Sequence, residues 1–282
     1  MAERNRAGGW RHAKLSGHTN ESAIGLLLKS SPAYQKDFLS KIGRQDTTVS
    51  HVDIGGLHEK NVPGILGGGT KSKTDIRVFL NDGSLYNISV KKSAGGQAYL
   101  IDPFRFMDGF ERQYGMRIPE DVESAIRLFW GTDSDVKKII SLYGTHRLYE
   151  NRKHRLTAET LYAYDPRLCE ALLRWFAENM YEVTEFCFSR GLAKNSGDWA
   201  ELVWYKNEMG ENDLNYIFDI HRLCDAMQKA GSPDTVFYGS RLGGTTIQLP
   251  FGFVQWHSPT KTIPGSMQFH HNLNKILRIL SL

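Results

Sequence analysis

The segment Thr70-Lys71-Ser72-Lys73-Thr74-Asp75 and the run Asn87-Ile88-Ser89-Val90-Lys91-Lys92 hold the residue types best suited to chemistry. An acid opens one strand, and a Ser-x-Lys pair closes the next. In a strand, alternate side chains share a face, so Asn87, Ser89 and Lys91 line up opposite Tyr86, Ile88 and Val90, which read as core. A hairpin partner brings Asp75 to the end of the polar row. The Asp75 carboxylate and a main-chain carbonyl such as that of Val90 are hard oxygen ligands suited to Mg2+, which keeps several waters and takes further oxygens from a phosphate. Such an ion polarises phosphate and acidifies a bound water. Lys91 can orient that water or stabilise the extra negative charge of the transition state. The expected chemistry is hydrolysis of a phosphodiester. The plain alternative is a surface hairpin that carries Asp, Ser and Lys for solubility.

A second acid, Glu21, stands at the start of a helix in register with Ile24 and Leu28. It falls near the apolar, sheet-facing side, where a carboxylate is unusual unless a metal or a lysine faces it. An acid that offsets the helix dipole is the competing reading.

These residues need a hairpin and a helix to hold them. Asp75–Leu80 and Ser84–Lys92 alternate like strands, with Asn81-Asp82-Gly83 as the turn. A helix is expected from Asn20, capped by Thr19 or Asn20, and a second after Pro32. Residues 1–19 read as a loosely held arm and 44–74 as loop. Gln97–Ile101 reads as a third strand. Residues 103–230 read mostly as helices, with a long one across 166–190. Strands are expected at Thr245–Leu249, Phe251–Trp256 and Ser266–His271, then a helix over Leu273–Leu280. The order predicts an α+β fold, a central mixed β-sheet flanked by helices. We expect a single domain, 1–282, in three parts: a core helix and hairpin (20–101), a mainly helical part (102–230) and C-terminal strands (234–282) that read DNA.

Glu21, then Asp75, then Ser89-Val90-Lys91 in the second strand resembles the PD-(D/E)XK nuclease superfamily, and within it the type II restriction endonucleases. The stretch from Gly67-Gly68-Gly69 through Asp75 to Ser93 is similar to the MspI-type subgroup, where a Gly-Gly-x-Lys-Thr-Asp loop precedes the first active-site strand. The likeness spans residues 17–100. It implies a restriction-endonuclease-like core with a helical insertion, cleavage of double-stranded DNA with Mg2+, and 5′-phosphate ends. By resemblance Asp75 is the metal-binding acid, Lys91 the catalytic lysine and Glu21 an accessory metal or water ligand. Thr74 stands where the motif has proline. Ser89 stands where a second acid is expected, which favours one metal, or a second ion held partly by Glu21. A homodimer or heterodimer and a companion DNA methyltransferase are the implied partners. A structure-specific repair nuclease and a DNA-binding protein that does not cut are the alternatives.

Candidate DNA contacts flank the motif and fill the C-terminal block. Lys71, Lys73 and Lys92 are placed to meet phosphates. Gln97 follows the active strand. Arg241, Gln255, His257, Lys261, Gln268 and His270 are side chains that bond base edges in the major groove; Gln255 and His257 share one strand face, and Gln268 and His270 another. An ordinary sheet with a solvated face is the alternative. His257, His270 and His271 also raise zinc, but adjacent histidines on a strand point apart. His51-Val52-Asp53 and His58-Glu59 form a further polar cluster without metal-ligand spacing. Trp199 and Trp204 read as core rather than as base-stacking platforms.

Bulk properties narrow the class. The 282 residues are 40% hydrophobic, with a net charge of +4 and a pI near 8.8; they form a core and are not disordered. Cys169, Cys187 and Cys224 are scattered and odd in number, which argues against a disulfide scaffold or zinc ribbon and for a reducing cytoplasm. No apolar run is long enough to span a bilayer, and the N-terminus lacks the apolar stretch of a signal peptide. The Gly-Gly-Gly-Thr-Lys-Ser run lacks phosphate-loop spacing and precedes a strand rather than a helix.

Overall fold

The computed structural model describes residues 6–55, 61–150, 154–210, 213–257 and 265–281, with side chains from Ser16 onward. The chain divides into two compact units, residues 1–94 with 188–221 and residues 95–187 with 222–282. Among the described residues no helix is long and apolar enough to cross a membrane.

Unit one is built on a five-stranded mixed sheet. Its elements are α1 (Arg6–Ser30), α2 (Pro32–Lys41), β1 (Val49–Ile54), a small hairpin of β2 (Val62–Pro63) and β3 (Gly69–Thr70), then β4 (Ile76–Leu80), β5 (Leu85–Lys91), and later β7 (Leu202–Lys206) and β8 (Asn215–Asp219). The strand order is β1-β4-β5-β7-β8. All neighbours are antiparallel except β5 and β7, which run parallel with Val90 opposite Trp204 and Lys91 opposite Tyr205. The β4–β5 hairpin forms where its turn residues predict it: Leu80 N donates to Ser84 O at 2.9 Å. Gly83 takes φ +87°, open to glycine at no steric cost.

One face of this sheet meets α1 and α2. Ile24, Leu28, Phe38, Val52, Ile76, Val78, Ile88 and Trp204 form the cluster between them. Each aliphatic side chain buried there contributes about 1.5–3 kcal/mol. Pro32 at the first turn and Ser31 Oγ accepting from Tyr34 N start α2. Asn20 is no cap. The helix extends back to Arg6, through the stretch expected to be an arm, and Asn20 is fully buried. Its Nδ2 donates to Lys206 O at 2.9 Å and its Oδ1 accepts from Glu208 N at 2.7 Å, which ties α1 to the end of β7.

Three longer strands were misread, beside the two-residue β2 and β3 in the stretch expected to be loop. β1 lies inside the stretch expected to be loop, because only Val52 of its six residues is buried. β7 and β8 lie inside the stretch read as helical. Leu202-Val203-Trp204-Tyr205 is buried on both faces, so it shows no alternation and cannot be told from buried helix by period.

Unit two holds β6 (Gly95–Ile101), α3 (Pro103–Tyr114), α4 (Glu120–Trp130), α5 (Val136–Tyr143), α6 (Ala158–Tyr164), α7 (Pro166–Glu178), α8 (Met180–Glu185), most of α9 (Ile220–Ala230), β9 (Phe237–Tyr238), β10 (Thr246–Leu249), β11 (Gly252–His257), β12 (Ser266–Asn272) and α10 (Leu273–Leu280). The expected C-terminal strands and final helix are present. The long helix across 166–190 is instead broken at Asn179, which leaves helical geometry at φ −112° and ψ 30° while both its backbone N–H, at 3.0 Å, and its Nδ2, at 2.8 Å, donate to Trp175 O. Its last residues, Phe186–Arg190, form a π-helical turn. The second sheet is antiparallel in the order β6-β12-β11-β10-β9. β6, which the sequence placed with the motif hairpin, pairs with β12. Phe106, Phe110, Trp175 and Phe186 pack as an aromatic core in this unit.

Candidate active site

The site in unit one is made where β4 begins and β5 continues past it. Asp75 N donates to Ile88 O at 2.8 Å, closing the β4–β5 ladder. The Asp75 side chain then takes over: Oδ2 accepts from Val90 N at 2.7 Å. Lys91, the last residue of β5, folds back to donate from Nζ to Ser89 Oγ at 2.6 Å and to Val90 O at 3.3 Å. Ser89 is almost fully buried and Val90 nearly so. The alternation read from the sequence places Ser89 and Lys91 together, as expected; both faces of β5 are buried, not one.

Glu21 reaches this point from α1, one turn before Ile24. Its charge acts on the others: the Asp75 carboxylate disfavours ionisation of Glu21, and Lys91 favours it. Burial raises the Glu21 pKa above the ordinary carboxylate range, and Asp75 adds to the rise. Burial also raises Asp75, opposed by Lys91 and by the Val90 N–H. Burial lowers the Lys91 ammonium, opposed by Asp75 and Glu21. Two carboxylates that resist ionisation together mark a place that favours added positive charge.

His18 is the residue that the sequence reading missed. Its Nδ1 lies 2.9 Å from Glu21 Oε2, and a positive charge on its ring also favours ionisation of Asp75. The only sequence signal was the three-residue spacing from Glu21 on one helix face.

The loop before Asp75 is fixed rather than loose. Ser72 Oγ donates to Asp198 O at 2.6 Å and accepts from Thr74 N at 2.9 Å; Thr74 Oγ1 also bonds Asp198 O. The Asp198 carboxylate in turn pairs with Arg77 at 3.2 Å. Ser72 and Thr74 are buried, so the intervening lysines turn outward: Lys71 is exposed, and Lys73 and, beyond β5, Lys92 are half-buried. Upstream, Gly67 and Gly68 take φ of +86° and +64° in the turn of the β2–β3 hairpin. That hairpin is pinned by Ile65 N to Leu192 O and Lys194 N to Pro63 O.

The other predicted contacts belong to unit two. Gln97, Gln255, Gln268 and His270 lie on adjacent strands of the second sheet and bond one another. His257 ends β11, half-buried, and Arg241 is exposed before β10. Lys261 lies outside the described residues, as do His58 and Glu59. His271 is buried on the face opposite His270. Among the described residues no group of three or more His, Cys, Asp or Glu gathers as a metal cluster, so the zinc alternative has no site there. His51 and Asp53 are exposed and bond each other at 2.7 Å. Trp204 is core, packed on Phe38. Trp199 donates to Ala193 O and carries Arg190 over its ring at 4.1 Å.

No protein-family model matches the sequence, and no curated protein matches it. A solved structure does. The restriction endonuclease MspI, crystallised in complex with its cognate DNA, aligns with a TM-score of 0.51 over 93% of this chain and 87% of that one, at 14% identity. At that identity the likeness speaks for the fold. The mixed central sheet flanked by helices is a restriction-endonuclease-like α+β fold.

Proposed function

We propose that the chain is a Mg2+-dependent endonuclease that hydrolyses double-stranded DNA at a specific sequence, of the type II restriction class, leaving 5′-phosphate ends. One observation carries the reading: Asp75, Lys91 and Glu21, from a loop, a strand end and a helix, act electrostatically on one another at one end of β4 and β5. The donors fit Mg2+. Asp75, Glu21 and the Val90 carbonyl are all hard oxygens, and this ion takes one or two carboxylates and leaves its other positions to water and phosphate. The mutual disfavour between the carboxylates is what a cation relieves. When bound, the ion supplies polarisation of the phosphate and an acidified water.

The chain's own groups do the rest. The Val90 N–H fixes the Asp75 carboxylate. Ser89 holds Lys91 Nζ at 2.6 Å from its hydroxyl, aimed along the polar row. From there the ammonium meets the charge that builds on a phosphate in the transition state. Lys71, Lys73 and Lys92 border the site and bind the flanking phosphates. Ser89 in place of a second acid favours a single ion. Cleavage of both strands of a duplex calls for two copies of the site, which a homodimer provides.

The test is incubation of supercoiled plasmid with the full chain and Mg2+. Discrete fragments that disappear with a chelator and in Lys91→Ala, with DNA binding retained, are expected. Equal cutting by Lys91→Ala and wild type removes the reading. Degradation of branched or nicked DNA alone points to a repair nuclease. The absence of the second acid at Ser89 favours a second reading, DNA binding without cleavage, and sequence-selective binding without turnover in any divalent metal supports it.

A further inference from the structure

The second sheet carries a hydrogen-bonded ladder of amides with a fixed direction. Gln255 and Gln268 face each other across β11 and β12, and Phe253 faces His270. Gln255 Nε2 donates to Gln268 Oε1 at 2.8 Å, and Gln268 Nε2 donates to Gln97 Oε1 on β6 at 2.9 Å. Gln255 Nε2 also stands 3.2 Å from His270 Nε2. An amide nitrogen only donates, so His270 Nε2 is the acceptor and its ring is neutral. Burial and the neighbouring His257 hold that imidazole below its ordinary pKa, which agrees. His270 stacks flat on Phe253, centroids 4.5 Å apart at 10°, so the ring cannot turn freely.

Both N–H groups of Gln255 are spent, on Gln268 and His270, and its Oε1 meets no donor among the described residues. Gln97 is the reverse: its Oε1 is spent on Gln268, and its exposed Nε2 remains. The two ends lie two strands apart, about 9–10 Å laterally, and Gln97 is further offset along the sheet because it pairs with His270 rather than Gln268; against 3.4 Å per base step they fall on different base pairs. The opposite face of the sheet is buried and mainly apolar, with Val254, Trp256, Met267 and Phe269 beside His271. The ladder face carries glutamine, histidine and phenylalanine and no carboxylate on β11 or β12. It can approach a phosphate-lined groove without like-charge repulsion.

The geometry points to this ladder as a polar reader of duplex DNA, resting on the nuclease reading above, in which Gln255 accepts from an exocyclic amino group of cytosine or adenine and Gln97 donates to a purine N7 or a guanine O6. In the major groove those groups are distinct for each base. The ladder pre-orients both amides, so neither loses rotamer freedom on binding.

The test uses the full chain with Ca2+ in place of Mg2+. Selection from a randomised duplex pool defines the bound sequence. Duplexes are then made with single atoms deleted: purine for adenine or 2-pyrimidinone for cytosine removes the amino group, and 7-deazapurines or 2-aminopurine remove N7 or O6. One amino deletion is expected to weaken wild-type binding about tenfold and to leave Gln255→Leu unaffected. One acceptor deletion at a different base pair is expected to behave likewise with Gln97→Leu. Coupling of Gln255 to an acceptor deletion overturns the proposed direction. A wild type that selects a sequence, with neither glutamine coupled to any deletion, overturns the ladder and leaves the nuclease reading intact. A wild type that neither selects a sequence nor cuts plasmid overturns both.

Discussion

Asp75 Oδ2 accepts the Val90 N–H at 2.7 Å, so the side chain of the acid fills a place in the β-ladder. The last backbone pairing of the hairpin sets Ile76 opposite Ile88; beyond it, the carboxylate substitutes for the strand. The acid is thus held by backbone, and its charge and its structural part are separable. In Asp75→Asn the amide oxygen keeps the Val90 bond and the charge is gone. Thermal stability close to wild type and a fall in single-turnover cleavage of about 10²–10³ or more are expected. Asp75→Ala also orphans the Val90 N–H and is expected to lose a further 1–3 kcal/mol, roughly, in denaturant unfolding. Cleavage by Asp75→Asn within tenfold of wild type would end its assignment as the metal-binding acid.

Ser89→Asp restores the carboxylate that the motif lacks, beside Lys91 and on a buried stretch of β5. Tighter binding of Mn2+ in the absence of DNA, read by calorimetry, is the expected outcome. If affinity does not rise, position 89 does not face the ion.

His18 bonds Glu21 as an outer-shell partner bonds a ligand, and such partners are worth about 10–100-fold in metal affinity. His18→Ala is therefore expected to weaken Mn2+ binding within that range. His18→Asn, which keeps a polar group near Glu21, is expected to recover part of it. Equal affinity in all three proteins removes His18 from the site.

Asn20 makes a different prediction, about stability alone. Its two bonds fasten α1 to the end of β7 from a fully buried position. Asn20→Ala leaves Lys206 O and Glu208 N without these partners and is expected to cost about 1–3 kcal/mol in chemical denaturation. Asn20→Asp keeps only the acceptor half and is expected to be no better.

The raised carboxyl groups fix the sign of a pH effect. Asp75 and Glu21 bind protons more tightly in the folded chain than at their ordinary values of 3.8 and 4.5. The folded state therefore loses stability as pH rises from that range through the raised values. Lys91 is lowered from 10.5, and its contribution recovers only toward alkaline pH. A divalent cation competes with the carboxyl protons, so the rise in Tm produced by Ca2+ is expected to grow from acid to neutral pH. The combined Asp75→Asn, Glu21→Gln variant is expected to show no such growth in scanning calorimetry.

How much of this was legible in the sequence depends on local signals. The hairpin was, because Asn81-Asp82-Gly83 between alternating runs allows little else. Glu21 was, by its register with Ile24 and Leu28. β7 was not: its residues are apolar on both faces, and its partner in the sheet is distant in sequence. The start of α1 was not, because Gly8, Gly9 and Gly17 argue against a helix locally. The glutamines were legible as residue types, but their bonds depend on a cross-strand register that no local pattern fixes. Asp198, which holds the loop before Asp75, carried no signal, since its carbonyl rather than its side chain takes Ser72 and Thr74.

The parallel pairing of β5 with β7 also sets a timetable during synthesis. A sequence separation of 114 residues lies between Asn87 and Glu201, whose backbone N–H donates to Asn87 O at the start of the β5–β7 ladder, and that stretch must be made after the hairpin and before the far edge of β5 is covered. At ribosomal rates of about 5–20 residues per second, that interval is roughly 5–20 s. Throughout it the nascent chain already contains Glu21, Asp75, Ser89 and Lys91, with one edge of β5 bare. Under the reading proposed above, a product released early holds every reacting group yet lacks the strand that completes their support. Its hazard to the cell is then aggregation through that open edge rather than cutting of DNA.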